Sequence, residues 1–103
     1  MGYLQMSFVR PVPDEWQGLS DDDFNSQMTG IFEIVEQNGG DMKVNAFSPS
    51  HNTYVSVVEY PDSKAAQRAV AQIAAQGYLE FESIHPLWDG NELTTVMREA
   101  QMG

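Results

Sequence analysis

Residues 53–63, Thr-Tyr-Val-Ser-Val-Val-Glu-Tyr-Pro-Asp-Ser, decide the fold. The run Thr53 to Tyr60 is rich in β-branched and aromatic side chains, the composition of a pleated, half-buried strand. Pro61 cannot donate to a ladder, and Asp62-Ser63 offers side-chain oxygens to the free amides of a new helix. A strand that runs directly into a capped helix is half of a βαβ unit. In the helix that follows, Ala66, Ala69, Val70, Ile73 and Ala74 recur at helical spacing, a thin stripe suited to lying close on a sheet. Gly77 closes it, Tyr78 to His85 reads as the next strand, and Pro86 is expected to end that strand.

Upstream the same theme repeats. Tyr3 to Val9 reads as a strand, with Leu4, Met6 and Phe8 on one face and Tyr3, Gln5, Ser7 and Val9 on the other. Pro11 and Pro13 end it, and a loop through Trp16 and Gly18 follows. Ser20 caps a helix whose first turn holds Asp21, Asp22 and Asp23, carboxylates that suit the positive helix end. Phe24, Met28, Ile31 and Val35 form its apolar face, Gly30 is expected to permit close approach to the sheet, and Asn38-Gly39-Gly40 stops it. Met42 to Phe47 is a weaker strand joined to Thr53–Tyr60 by the turn Ser48–Asn52, and Asn91 to Gln101 forms a short C-terminal helix. The order β, α, β, β, α, β predicts a single α+β domain over residues 1–103. With right-handed crossovers it is a ferredoxin-like βαββαβ fold, a four-stranded antiparallel sheet with two helices on one face. Both alternation classes of the strands carry apolar residues, so the uncovered face is expected to pair face to face with a second copy, giving a homodimer closed as a dimeric α+β barrel.

Composition excludes several functions. Five basic residues stand against fifteen acidic ones, a formal net charge of -10, with no basic cluster to neutralise phosphates; nucleic acid and anionic membrane surfaces are not expected partners. There is no cysteine, which removes disulfides, thiolate metal sites and cysteine nucleophiles. The stretch through Val9 is too short and polar for a signal peptide, and no apolar run approaches the ~20 residues of a membrane span. A cytoplasmic protein is expected.

The segment Tyr54-Val55-Ser56-Val57-Val58-Glu59-Tyr60-Pro61-Asp62, the helix after it, Gly77-Tyr78-Leu79-Glu80-Phe81-Glu82, and His85 just beyond resemble the dimeric α+β barrel superfamily, specifically GYD-type domains and antibiotic-biosynthesis monooxygenases. The resemblance implies a homodimer with a pocket between the sheet and helices of each subunit. Its known chemistries include cofactor-free oxygenation and isomerisation, and some members only bind ligands.

His85 is the candidate proton-transfer residue, placed near the end of the last strand beside Pro86 and Trp88, with Glu82 within a few residues to orient it. Strict alternation points Glu82 to the opposite face from His85, so a pairing between them requires a bulge; otherwise His85 is a half-buried histidine bonded to backbone. Arg10 and Trp16 flank the loop after the first strand, where Arg10 can hold an anionic group and Trp16 can stack on an aromatic one. Tyr3, Gln5 and Tyr60 are strand positions able to place polar groups in an apolar cavity. His51 reads as an exposed turn residue. No zinc-site spacing, phosphate loop or Ser-His-Asp order is present, so neither a metal nor a cofactor is expected. The function these residues imply is binding of a small apolar or aromatic organic molecule, with oxygenation, isomerisation or cyclisation as its enzymatic form. A non-enzymatic ligand-sensing or assembly module is the competing expectation.

Overall fold

A computed structural model describes residues 2–102; Met1 and Gly103, the ends of the expected domain, lie outside the described residues. The elements run β1 (Tyr3–Pro11), α1 (Pro13–Trp16), α2 (Asp21–Gln37), β2 (Asp41–Ser48), β3 (Thr53–Tyr60), α3 (Ser63–Gln76), β4 (Leu79–Leu87) and α4 (Gly90–Met102). The chain is α+β, with one four-stranded antiparallel sheet in the order β2-β3-β1-β4.

Local chemistry sets the boundaries. The Ser20 hydroxyl accepts from the Asp23 amide at 3.1 Å and starts α2; the Asp62 carboxylate accepts from the Ala65 amide at 2.8 Å and starts α3. Gly77 ends α3 in the left-handed region at φ 80°, which costs a glycine nothing. At the end of α2, Asn38 is buried, and its side-chain amide donates to Ile34 O and to Gln72 Oε1, both at 2.8 Å, fastening α2 to α3.

Three sequence expectations change. Both edge prolines are tolerated: β1 runs on to Pro11, where pairing with β3 has already ended, and β4 passes through Pro86 because it is an edge strand. The loop around Trp16 contains a short helix, α1, started by Pro13 in its first turn. Gly30 approaches nothing: a Cβ built there meets no atom within 4 Å, so it does not serve close packing.

The core lies between α2, α3 and one face of the sheet. Ile31 and Val35 of α2 meet Val58 and Tyr60 of β3 and Ala65, Ala66, Ala69 and Ile73 of α3. On β1 the residues facing this core are Gln5, Ser7 and Val9. Leu4, Met6 and Phe8, the more apolar set, therefore face away from the helices and are only half-buried. β1 thus sets Gln5 and Ser7 inside beside Val9 and leaves Leu4, Met6 and Phe8 on the uncovered face.

Candidate functional site

Spaces lie on both sides of the sheet, two of them lined by expected site residues. Beneath the helices is an apolar cavity of about 70 Å³, with Gln5, Ser7 and Tyr60 in its lining together with Met28, Ile31 and Phe81. Gln5 is 6% exposed and Ser7 4%, so these polar side chains are set into the floor of an otherwise apolar space. The volume admits a few waters or a very small solute, well below the roughly 300–1,000 Å³ of ordinary ligand sites. Burial raises the Tyr60 phenol above its usual pKa.

The uncovered face carries a groove of about 290 Å³ lined by Phe8, Arg10, Ser48, His51, Thr53, Val55 and Glu82. Its geometry starts from a bulge. Phe8 pairs with Ser83 and Val9 with Phe81, leaving Glu82 as the extra residue of β4. The bulge brings Glu82 to the same face as Arg10, and Arg10 Nη2 lies 3.2 Å from Glu82 Oε1. The opposite wall is the β2–β3 turn. Asn52 adopts φ 48°, Thr53 Oγ1 donates to His51 O at 2.8 Å, and His51 Nδ1 sits 3.0 Å from Ser50 Oγ and 3.3 Å from Ser48 Oγ. The floor is Phe8, and the His85 ring meets Phe8 edge-on at 5.7 Å between centroids.

The expected site residues thus divide. Arg10 and Glu82 come together, with His85 one ring away across Phe8. The bulge required for Glu82 to reach this face exists, but Glu82 pairs with Arg10. His85 is exposed, and its Nε2 lies 3.1 Å from Ser83 Oγ. Gln5 and Tyr60 line the other space. Trp16 and Arg10 do not share a pocket mouth: Trp16 Nε1 donates to Tyr78 O at 2.7 Å and its ring packs on Phe24 and Tyr78. Tyr3 packs against the core cluster. Sequence reasoning missed Phe8 as a floor and His51 as a wall. The signal available for both was register, since Phe8 pairs with Val55 two positions from the turn.

Electrostatically the groove differs from the rest of an acidic chain. It gathers one guanidinium and two imidazoles around an aromatic ring, with Glu82 as its lining carboxylate. Lys43, by contrast, is held by Asp41 at 2.7 Å and approaches Glu59 at 3.9 Å; the hydrogen bond and charge of Asp41 raise its pKa. Among the described residues no group of three or more His, Asp or Glu is arranged to hold a metal ion, and no helix is long and apolar enough to cross a membrane.

Comparison with known proteins adds a family and a fold. The Fic/DOC family model matches residues 16–99, from the end of α1 into α4, and leaves out β1. No curated protein matches. Among solved structures, the chain is similar to SCO4226 from Streptomyces coelicolor A3(2) at 17% identity and a TM-score of 0.51, over 82% of this chain and 94% of that one. It is also similar to protein YJCS at 8% identity and a TM-score of 0.54, over 85% and 98% respectively. At these identities the likeness concerns fold alone.

The family match overturns the resemblance to the dimeric α+β barrel superfamily. With it go the monooxygenase-like reading, the barrel-bound apolar molecule and the sensing-module alternative. The resemblance rested on an order of elements and short strand motifs, which unrelated sequences share and which carry no chemistry.

Proposed function

The chain belongs to the Fic/DOC family, and on that premise we propose that the groove on the uncovered sheet face receives the phosphate-bearing part of a nucleotide for group transfer. The observation that carries the proposal is the convergence of Arg10, His51 and Phe8 in one groove with His85 at its edge. In AMP transfer, an acceptor hydroxyl attacks the α-phosphorus, a new P–O bond forms, the bond to pyrophosphate breaks, and the hydroxyl proton must go to a base. His85, exposed and tethered to Ser83, is the proposed acceptor of that proton. Arg10 offers a planar donor fork to phosphate oxygens once released from Glu82, and Phe8 offers a face to the base. The 70 Å³ cavity is too small for such a ligand, which favours the groove.

The net charge of -10 repels free nucleotide, so the magnesium complex, with less negative charge, is the form expected to bind. The sheet with α2 and α3 is read here as a ferredoxin-like core to which α1 and α4 are additions, in one cytoplasmic domain. Incubation with α-labelled ATP, magnesium and candidate acceptor proteins tests the reaction. Label transfer that His85→Ala abolishes, with folding intact by circular dichroism, supports it; transfer unaffected by His85→Ala removes His85 from the chemistry.

A further inference from the structure

α4 is a helix without a partner. It is 13 residues long, with its start fixed by Asp89, whose carboxylate accepts from the Glu92 amide at 2.8 Å. Yet among the described residues it makes no more than marginal contact with any other element. An isolated helix shorter than about 12–15 residues is marginal in water, so one of this length needs tertiary support. Its sequence supplies an apolar stripe at Leu93, Val96, Met97 and Ala100, spaced i, i+3, i+4 and i+7. Leu93 is 44% exposed, Met97 53% and the adjoining Trp88 59%. The molecule measures 57 × 31 × 19 Å with a radius of gyration of 15.8 Å, against roughly 13 Å for a compact chain of about 100 residues.

The second unpartnered surface is the sheet face bearing Leu4, Met6, Val57 and, on the outer strand, the exposed Val44, bordered by His85 on β4 and by Glu59 and Asp41, which Lys43 approaches at 3.9 and 2.7 Å. It lies at the end of the sheet opposite the Arg10 groove, because Leu4 pairs with Leu87 where β4 leaves the sheet, and Arg10 pairs with Glu80 where β4 enters it. We propose that the apolar patch at this end of the sheet, Leu4, Met6, Val57 and Val44, is covered by α4 of a second copy, each chain lending its helix to the other about a two-fold axis.

The dimensions fit. A 13-residue helix is about 20 Å long at ~1.5 Å per residue, and four strands spaced ~4.8 Å span about 19 Å, so α4 laid across the sheet reaches from edge to edge. A footprint of about 20 × 10 Å on each of four surfaces gives roughly 800 Å², and two Trp88 side chains at ~150–250 Å² each carry the total past the ~1,000 Å² that a specific interface requires. A two-fold axis satisfies both surfaces of both chains, which a single unrelated partner does not. The centre of the contact is apolar and its rim carries Asp41, Lys43 and Glu59, and both chains are acidic, so added salt strengthens it by screening their repulsion. Arg10 and His51 stay outside the covered end, whereas His85, cross-strand from Met6, lies at its border, so the nucleotide reading is tested at Arg10 and His51 and the dimer at Met97 and Val57.

The absence of native cysteine makes the test direct. Copies carrying Met97→Cys are mixed with copies carrying Val57→Cys and oxidised, and light scattering follows the mass of the unaltered chain at tens of micromolar. The expected results are a disulfide-linked heterodimer and a mass of twice 11.5 kDa. Leu93→Asp with Met97→Asp is expected to halve that mass and lower the helical circular dichroism. A monomer whose doubly substituted chain, Met97→Cys with Val57→Cys, closes within itself overturns the proposal by showing that α4 folds back on its own sheet. A dimer that gives no Met97–Val57 linkage overturns the helix exchange.

Discussion

Arg10 Nη2 lies 3.2 Å from Glu82 Oε1 because a single extra residue in β4 rotates Glu82 onto the face of the sheet that Arg10 occupies. Without the bulge between the Phe8 and Val9 registers, alternation would turn Glu82 toward the helices. The pair is solvent-exposed, so it contributes at most about 1 kcal/mol to stability. Its consequence is to hold the guanidinium at the groove with its charge partly neutralised.

Glu82→Gln is therefore expected to leave the melting temperature within a few degrees of the wild type while tightening the binding of anions in the groove. Arg10→Ala is expected to weaken that binding at least tenfold with an equally small change in melting. Isothermal titration with pyrophosphate, paired with thermal melts, measures both. Tighter binding in Arg10→Ala would show that the guanidinium does not face the ligand.

Gly30 sits within α2 with open space where a Cβ would stand. Gly30→Ala should stabilise the chain by about 0.5–1 kcal/mol, the difference in helix propensity. A rise of several degrees in melting temperature is the expected reading. A fall would mean that something packs at this position in solution.

Asn38→Ala removes the two hydrogen bonds that the buried amide makes to Ile34 and Gln72. The expected loss is about 1–3 kcal/mol by urea denaturation, since the carbonyl and the Gln72 amide oxygen lose a buried donor. Gln72→Ala in the Asn38→Ala background should add less than it does alone, because the two side chains share one bond.

Tyr60 fixes an alkaline limit. Burial raises its folded-state pKa above the usual ~10, so the unfolded chain releases the phenolic proton first as pH rises. Its contribution to stability is intact below about pH 10 and is lost as the pH climbs from there through the folded-state value. Urea midpoints measured from pH 8 to 11.5 should fall at the alkaline end, and Tyr60→Phe should flatten that fall. An unchanged slope in Tyr60→Phe would assign the alkaline limit to other groups.

Much of the architecture was readable in the residues because local signals agreed with one another. Ser20 and Asp62 cap the helices expected of them, Gly77 closes α3, and the β-branched run at Thr53–Tyr60 forms β3. Pro86 misled because a proline ends a strand only where its missing amide would have been paired, and edge position is a tertiary property. The candidate residues could be named one by one from the sequence, but their grouping could not. Arg10, Glu82 and His85 stand out by side-chain type alone, whereas the bulge that unites Arg10 with Glu82 has no sequence signature. The turn that brings His51 to the same groove depends on the pairing of β2 with β3. The inverted faces of β1 were hidden for the same reason: alternation assigns residues to two faces without saying which one the helices cover.

The most direct test of the account is a backbone amide NMR titration of the isotope-labelled protein with the magnesium complex of ATP. The groove assignment predicts saturable shifts at Phe8, Arg10, Ser48, His51, Val55 and Glu82, with the His85 amide responding as well, and their loss in Arg10→Ala. An absence of shifts at millimolar nucleotide, or saturable shifts confined to residues lining the cavity beneath the helices such as Ser7, Ile31 and Phe81, would contradict it.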